Sequence, residues 1–125
     1  MTKIAILGAN GQLGSDLIKV LGAIATNEVI AVRREQVDAL ANNVAQQLMI
    51  LQDVDYIINC VAVTNVDGCE DNSNDAFTIN SSFAFQVAKF CGENDITLFH
   101  ISTDYVFDGS KQTPYLESDV ATPLN

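Results

Sequence analysis

The sequence predicts an α/β domain, a doubly wound and mainly parallel sheet of about five strands with helices on both faces. Three observations carry this expectation. Short apolar runs alternate along the chain with stretches whose apolar residues recur at helical spacing. The run DYIINCV, Asp55 to Val61, is close to continuously apolar, as a strand covered on both faces should be. A glycine-rich turn, GANGQLG at Gly8 to Gly14, stands directly between the first strand and the first helix.

The elements follow in order. Lys3 to Leu7 is a short apolar strand that stops at Gly8. Gln12 to Leu21 carries Leu13, Leu17, Val20 and Leu21 at helical spacing, and Gly22 is placed to end that helix. Glu28 to Val32 is the second strand, and Gln36 to Asp38 a very short third. Asn42 and Asn43 offer an N-cap to a helix whose Val44, Leu48 and Leu51 share a face. Asp55 to Val61 is the fourth strand, and the polar residues Thr64 to Asn74 form a loop. Ala76 to Cys91 is a long helix with Phe77, Asn80, Ala84, Val87, Ala88 and Cys91 along one side, closed by Gly92. Ile96 to Ile101 is the fifth strand, and after Asp108-Gly109 the chain is irregular, with Pro114 and Pro123. There is no internal repeat and no linker, so the 125 residues form one unit.

Composition excludes several classes. Six basic against sixteen acidic residues give a net charge of −10, which opposes sequence-independent binding to nucleic acid or anionic membrane. A small anion held by backbone N–H groups is compatible with that charge, because the attraction is local. No apolar run approaches the roughly 20 residues of a membrane span. Cys60, Cys69 and Cys91 are odd in number and lack C-x-x-C spacing, as expected of reduced thiols in a cytoplasmic protein. His100 stands alone, so no metal site is expected.

Ligands of such sheets bind at the carboxyl ends of the strands. At the first strand, Gly8 allows the sharp turn, Gly11 lets backbone approach a pyrophosphate, and Gly14 lets the helix pack close to the strand. The N–H groups of Gln12 and Leu13 then point from the helix N-terminus at a phosphate. Asn10 replaces the middle glycine of G-x-G-x-x-G and, as a residue that tolerates positive φ, would let the loop form. A tight turn with no ligand is the plainer reading. At the end of the second strand stands Arg33, followed by Arg34, where an acidic residue would favour NAD. An arginine suits a 2′-phosphate and hence NADP; a solvated pair of arginines is the alternative.

Three stretches together carry a family resemblance: GANGQLG, INCVAVTNVDGCE at Ile58 to Glu70, and HISTDYVFDG at His100 to Gly109. They resemble the extended short-chain dehydrogenase/reductases with their Rossmann-type fold. Within these they look most like the dTDP-4-dehydrorhamnose reductases, the sugar-nucleotide reductases of dTDP-rhamnose biosynthesis. The resemblance implies NADP(H) or NAD(H) as cofactor and a 4-keto sugar nucleotide as substrate. It implies that Asp38 meets the adenine amine, that Cys60, Val61 and Ala62 lie beneath the adenosine and ribose, and that Thr64 lies near the pyrophosphate or nicotinamide. Asn80 matches an asparagine that supports the site, while Val66 and Asp67 match a substrate-side loop in which Gly68 stands where a lysine is common. Asn80 also reads as a helix-kinking polar residue bonded to backbone, and Asp67 as part of a solvated acidic loop. Thr103 takes the place of the catalytic Ser/Thr, with Asp104 and Tyr105 shaping the substrate pocket and Ser102 turned to the other side of the sheet.

The family's proton donor is a tyrosine with a lysine four residues on. Tyr56, Tyr105 and Tyr115 are followed at that spacing by Cys60, Gly109 and Asp119. In the family the Y-x-x-x-K motif comes directly after a PLN such as Pro123 to Asn125. Residues 1–125 are therefore expected to be the cofactor-binding N-terminal portion of a reductase, inactive alone, with dimerisation or a missing C-terminal part completing the fold. The alternative classes are a non-catalytic NADP-binding subunit, like the regulatory subunit of methionine adenosyltransferase, and another sugar-nucleotide reductase or epimerase.

Overall fold

The structure, a computed structural model, describes residues 1–124; Asn125, the last residue of the PLN run, lies outside them. Four parallel strands form one sheet in the order β2-β1-β3-β4: β1 Thr2–Leu7, β2 Asn27–Val32, β3 Tyr56–Asn59 and β4 Thr97–His100. Crossovers are made by α1 (Gln12–Gly22) and by α2 (Val44–Leu48) with a 3₁₀ turn at Met49–Leu51. The last crossover runs through α3 (Val66–Asp71), α4 (Ser73–Phe77), a π-helical turn at Thr78–Phe83 and α5 (Ala84–Glu93). This is the doubly wound Rossmann-type arrangement expected from the alternation of apolar runs.

The register sorts the sheet into two faces. Ala5 and Leu7 of β1 align with Ile57 and Asn59 of β3, and pack with Val44, Leu48 and Leu51 beneath and with Phe83, Val87 and Cys91 of the last crossover. The other face carries Ile4 and Ile6, which α1 covers, and then Tyr56, Ile58 and Phe99. Strand β1 is buried on both faces, with Ala5 and Ile6 wholly inaccessible. Strand β4 lies at the sheet edge and is largely exposed.

Several boundaries differ from expectation, each for a local reason. The short third strand at Gln36 to Asp38 is absent, so the sheet has four strands rather than five. Instead the N–H groups of Gln36 and Val37 donate back to the Arg33 carbonyl, and the Arg33 N–H donates to Gln36 Oε1, closing a turn. Asn43 precedes α2, but no side-chain cap bonds its first turn; Asn43 Oδ1 instead accepts from Gln47 Nε2. The loop at Thr64 to Asn74 contains α3, capped by Asn65, whose Oδ1 accepts from the Gly68 N–H at 3.2 Å.

Gly22 and Gly92 do not close their helices from the left-handed region; both lie within them, and Asp95, at φ 55°, makes the reversal after α5. The expected stripe of the long helix is broken in the middle. Phe83, Val87, Phe90 and Cys91 are buried, while Phe77 is 67% exposed. A π turn takes in an extra residue, so positions before it rotate off the stripe that a 3.6-residue period would give.

Candidate functional site

The site is built first from backbone. Gly8, at φ 77°, turns the chain at the end of β1 against the backbone of Cys60 and Val61; a Cβ there would lie 3.1 Å from the Cys60 carbonyl carbon. Gly14 has the tightest packing. A Cβ on it would stand 2.3 Å from the Gly8 carbonyl oxygen, a distance no side chain can occupy. The Gly11 N–H donates to that same oxygen at 2.9 Å, which folds the loop into a cradle. Helix α1 then starts with neither a side-chain cap nor an acidic residue in its first turn. The N–H groups of Gln12 and Leu13 have no hydrogen-bond acceptor outside the helix among the described residues, as an anion-binding helix end requires.

Two cavities open from this cradle and meet at Gly11, Cys60 and Ala62. The larger, about 500 Å³, is lined by Gly11, Gln12, Leu13, Gly14, Cys60, Ala62 and Thr64 and also by Asp16, Ile101 and Ser102. The smaller, about 280 Å³, is lined by Gly8, Asn10, Gly11, Arg33, Asp38, Cys60, Val61 and Ala62, with Ala9, Arg34, Val37, Ala39, Leu40 and Ile79 added. The residues singled out at the ends of β1, β2 and β3 thus converge on one crevice, whereas Thr103, Asp104 and Tyr105, singled out after β4, do not.

Polar contacts set the charge of the smaller cavity. Arg34 Nε lies 3.3 Å from Asp38 Oδ1, which also accepts from the Leu40 N–H. Arg33 has no carboxylate partner among the described residues; its Nε donates to Asn10 Oδ1 at 3.1 Å. Positive φ does not explain Asn10, because Asp95 is the only non-glycine residue in that region among those described. The loop uses the Asn10 side chain rather than its backbone freedom. Burial pushes the Cys60 thiol up, so it stands at the floor of both cavities as a protonated, apolar-like wall.

The loop after β3 is held from behind. Asn80, exposed to neither cavity, clamps Val63 with both amide atoms. Its Oδ1 accepts from the Val63 N–H at 2.8 Å and its Nδ2 donates to the Val63 carbonyl at 3.0 Å. Asn80 sits in the π turn, a local geometry that recurs where a helix must aim a functional side chain. Asn59, the one buried polar residue among those described, accepts from the Val61 N–H and places its Nδ2 3.2 Å from His100 Nδ1. With Nδ2 as donor, His100 Nδ1 accepts, which corresponds to the Nε2–H tautomer.

The strand end at His100 is arranged differently. β4 stops there, so strand alternation does not extend to Ser102, and Ser102 faces the larger cavity instead of the opposite side of the sheet. Thr103 Oγ1 accepts from the Tyr105 N–H at 3.1 Å and caps a 3₁₀ turn at Asp104–Val106. No hydrogen bond donated by its hydroxyl is found among the described residues. Thr103, Asp104 and Tyr105 line neither cavity, and neither do Val66 and Asp67 at the start of α3. Asp67 is in the first turn of α3, where its charge suits the helix dipole.

Beyond Tyr105 the chain closes a compact loop. The Thr122 N–H donates to the Val106 carbonyl, and Tyr115 stacks on Phe107 at 4.1 Å. Lys111 pairs with Asp119 and lies over the Tyr115 ring, and this hydrogen bond holds the Asp119 carboxyl below the usual carboxylate range. Tyr115 and Lys111 stand four residues apart in the reverse order of a Y-x-x-x-K pair. Both are committed structurally, the phenol to Asp108 at 3.4 Å and the ammonium to Asp119. No group of three or more His, Cys, Asp or Glu able to hold a metal occurs among the described residues, nor is any helix there long and apolar enough to cross a membrane.

Ser102, Ile101 and Asp16 were not anticipated as lining residues. The signal for Ser102 and Ile101 was present in the strand-end rule. Asp16 gave none, because only the angle of α1 brings it to the cavity.

Comparison with known proteins agrees with this geometry. The chain is 36% identical over 128 residues to the probable low-salt glycan biosynthesis reductase Agl14 of Haloferax volcanii, covering 95% of this chain and 43% of that protein. It is 35% identical over 125 residues to the dTDP-4-dehydrorhamnose reductase of Mycobacterium tuberculosis, covering 97% of this chain and 40% of the relative. The crystal structure of dTDP-4-dehydrorhamnose reductase from Bacillus anthracis in complex with NADP superposes with a TM-score of 0.91 at 32% identity, covering all of this chain and 45% of that one. The chain thus spans about two fifths of the length of the curated relatives it matches. The profile of the RmlD substrate binding domain matches residues 1–125, from the first residue to the last, and the chain belongs to that family.

Proposed function

We propose that these residues are the NADP(H)-binding portion of a reductase acting on a 4-keto sugar nucleotide, of the dTDP-4-dehydrorhamnose reductase type. The observation that carries the reading is the cradle at the end of β1. Three glycines there are fixed by close backbone approach, and an uncapped helix start faces a crevice that also holds an unpaired arginine. The relative solved with NADP has the same fold.

In this reading Gln12 and Leu13 take the pyrophosphate on their N–H groups. Arg33 takes the 2′-phosphate, and Asp38 meets the adenine. Cys60, Val61 and Ala62 form an apolar floor beneath the adenosine, and Thr64 lies toward the nicotinamide. Bound NADPH supplies the hydride. Thr103 then donates its hydroxyl proton in a hydrogen bond to the sugar C4 oxygen as that oxygen gains charge. Tyr105 and Asp104 form the substrate wall together with Val66 and Asp67. Asn80 acts at one remove, by holding the Val63 backbone. Residues 1–125 hold no tyrosine with a lysine four residues on, so this reading assigns the proton donor to none of them. Soluble cytoplasmic placement and a homodimer are part of the same reading.

Titration of the chain with NADPH and NADH, followed by nicotinamide fluorescence, tests the proposal. Saturable binding of NADPH is expected, tighter than that of NADH. Failure to bind either would remove it.

A further inference from the structure

We infer that Asn10 is a positioning residue for cofactor choice, holding Arg33 in place for a 2′-phosphate before the cofactor arrives. The inference rests on the NADP(H) reading above and adds to it a named positioning device.

Two arginines line the smaller cavity, and they differ in what occupies them. Arg34 is paired with Asp38, so much of its charge is answered within the protein. Among the described residues Arg33 is held only by a neutral amide, the Asn10 Oδ1 that accepts from its Nε. That contact fixes the guanidinium while leaving its full charge and its remaining N–H donors for a ligand. Both side chains are exposed, so an unheld Arg33 would have to lose rotamer freedom on binding. The Asn10 contact meets that cost in advance.

Asn10 links two parts of the site that are separate in sequence. It belongs to the loop that receives the pyrophosphate, whereas Arg33 directly follows β2, and the two positions are 23 residues apart. A shift of the glycine loop therefore carries the arginine with it. Because Asn10 does not have positive φ, an alanine there removes the acceptor without adding backbone strain.

The test is a double-mutant cycle on cofactor affinity, with Asn10→Ala, Arg33→Ala and the double variant titrated with NADPH and NADH, and thermal melts recorded for each. Arg33→Ala is expected to weaken NADPH by about tenfold or more and to leave NADH nearly unchanged. Asn10→Ala is expected to weaken NADPH by roughly two- to tenfold, again sparing NADH. The double variant should match Arg33→Ala alone. Equal weakening of both cofactors by Asn10→Ala would overturn the inference, since Asn10 would then act on the shared pyrophosphate. So would additivity in the double variant, or an Asn10→Ala chain that binds NADPH like wild type. Wild type binding NADPH and NADH equally would also overturn it while leaving the cofactor site standing. Wild type binding neither would remove the cofactor reading and this inference together.

Discussion

The C-terminal ends of β1 and β4 are built by opposite means. β1 is central, flanked by β2 and β3, and buried on both faces. Its end is shaped by backbone, with three glycines packed against carbonyl groups and a helix start without a cap. β4 is at the edge; Phe99 is 54% and Ile101 48% exposed, and its end presents side chains on an exposed 3₁₀ turn. A site made of backbone is finished once the local chain has folded. A site made of exposed side chains gains its shape from whatever packs over it. On this view the β1 end is shaped by its own backbone, and the Thr103 end presents an exposed hydroxyl that accepts from the Tyr105 N–H.

The strongest way to break this comparison is at the glycines. Gly14→Val puts a side chain into the Gly8 carbonyl oxygen. It is expected to cost about 3 kcal/mol or more and to abolish cofactor binding; a wild-type melting temperature would refute the close packing. Gly11→Val separates fold from function. Its Cβ would be 3.2 Å from the same oxygen and otherwise faces the open cavity. Binding should be lost while the domain still melts cooperatively, and unchanged affinity would end the cradle's assignment.

A smaller effect is expected behind the loop. Asn80→Ala removes both bonds to Val63, worth about 1–3 kcal/mol in total. Amide exchange at Val63 should accelerate and cofactor affinity should fall. Exchange at the wild-type rate would show that the loop holds itself. The least effect belongs to the edge: Phe99→Lys should change stability by no more than about 0.5 kcal/mol. A loss several times larger on denaturant unfolding would mean that the face of Phe99 is covered in solution, and the contrast between the two strand ends would shrink.

Legibility in sequence follows the same division. The four strands were readable as short apolar runs, although β4 is largely exposed, and α1 and the buried Val44, Leu48 and Leu51 were readable by helical spacing. The crevice at the ends of β1 to β3 was readable because it uses strand ends and glycines, whose positions in sequence already imply their places in space. The false third strand arose because Val37 is buried by a turn, which a short apolar run cannot reveal. The long helix was misphased because nothing in residues 78–83 announces a π turn. Resemblance rather than periodicity singled out Asn80.

The chain's own sequence determined the order of strand and helix, the cradle at Gly8 to Gly14 and the presence of Arg33 at the end of β2. These depend on local preference and on what lacks a side chain. Only the tertiary structure decided which arginine is free, since Asn10 and Asp38 reach their partners through loop geometry rather than spacing. It likewise decided that Ser102 faces the larger cavity, because where β4 ends is settled by its hydrogen bonds to β3. The physical reason is one of range. Backbone conformation is set within a few residues, whereas the choice of partner for a charge is set by whichever groups the fold brings within about 3 Å.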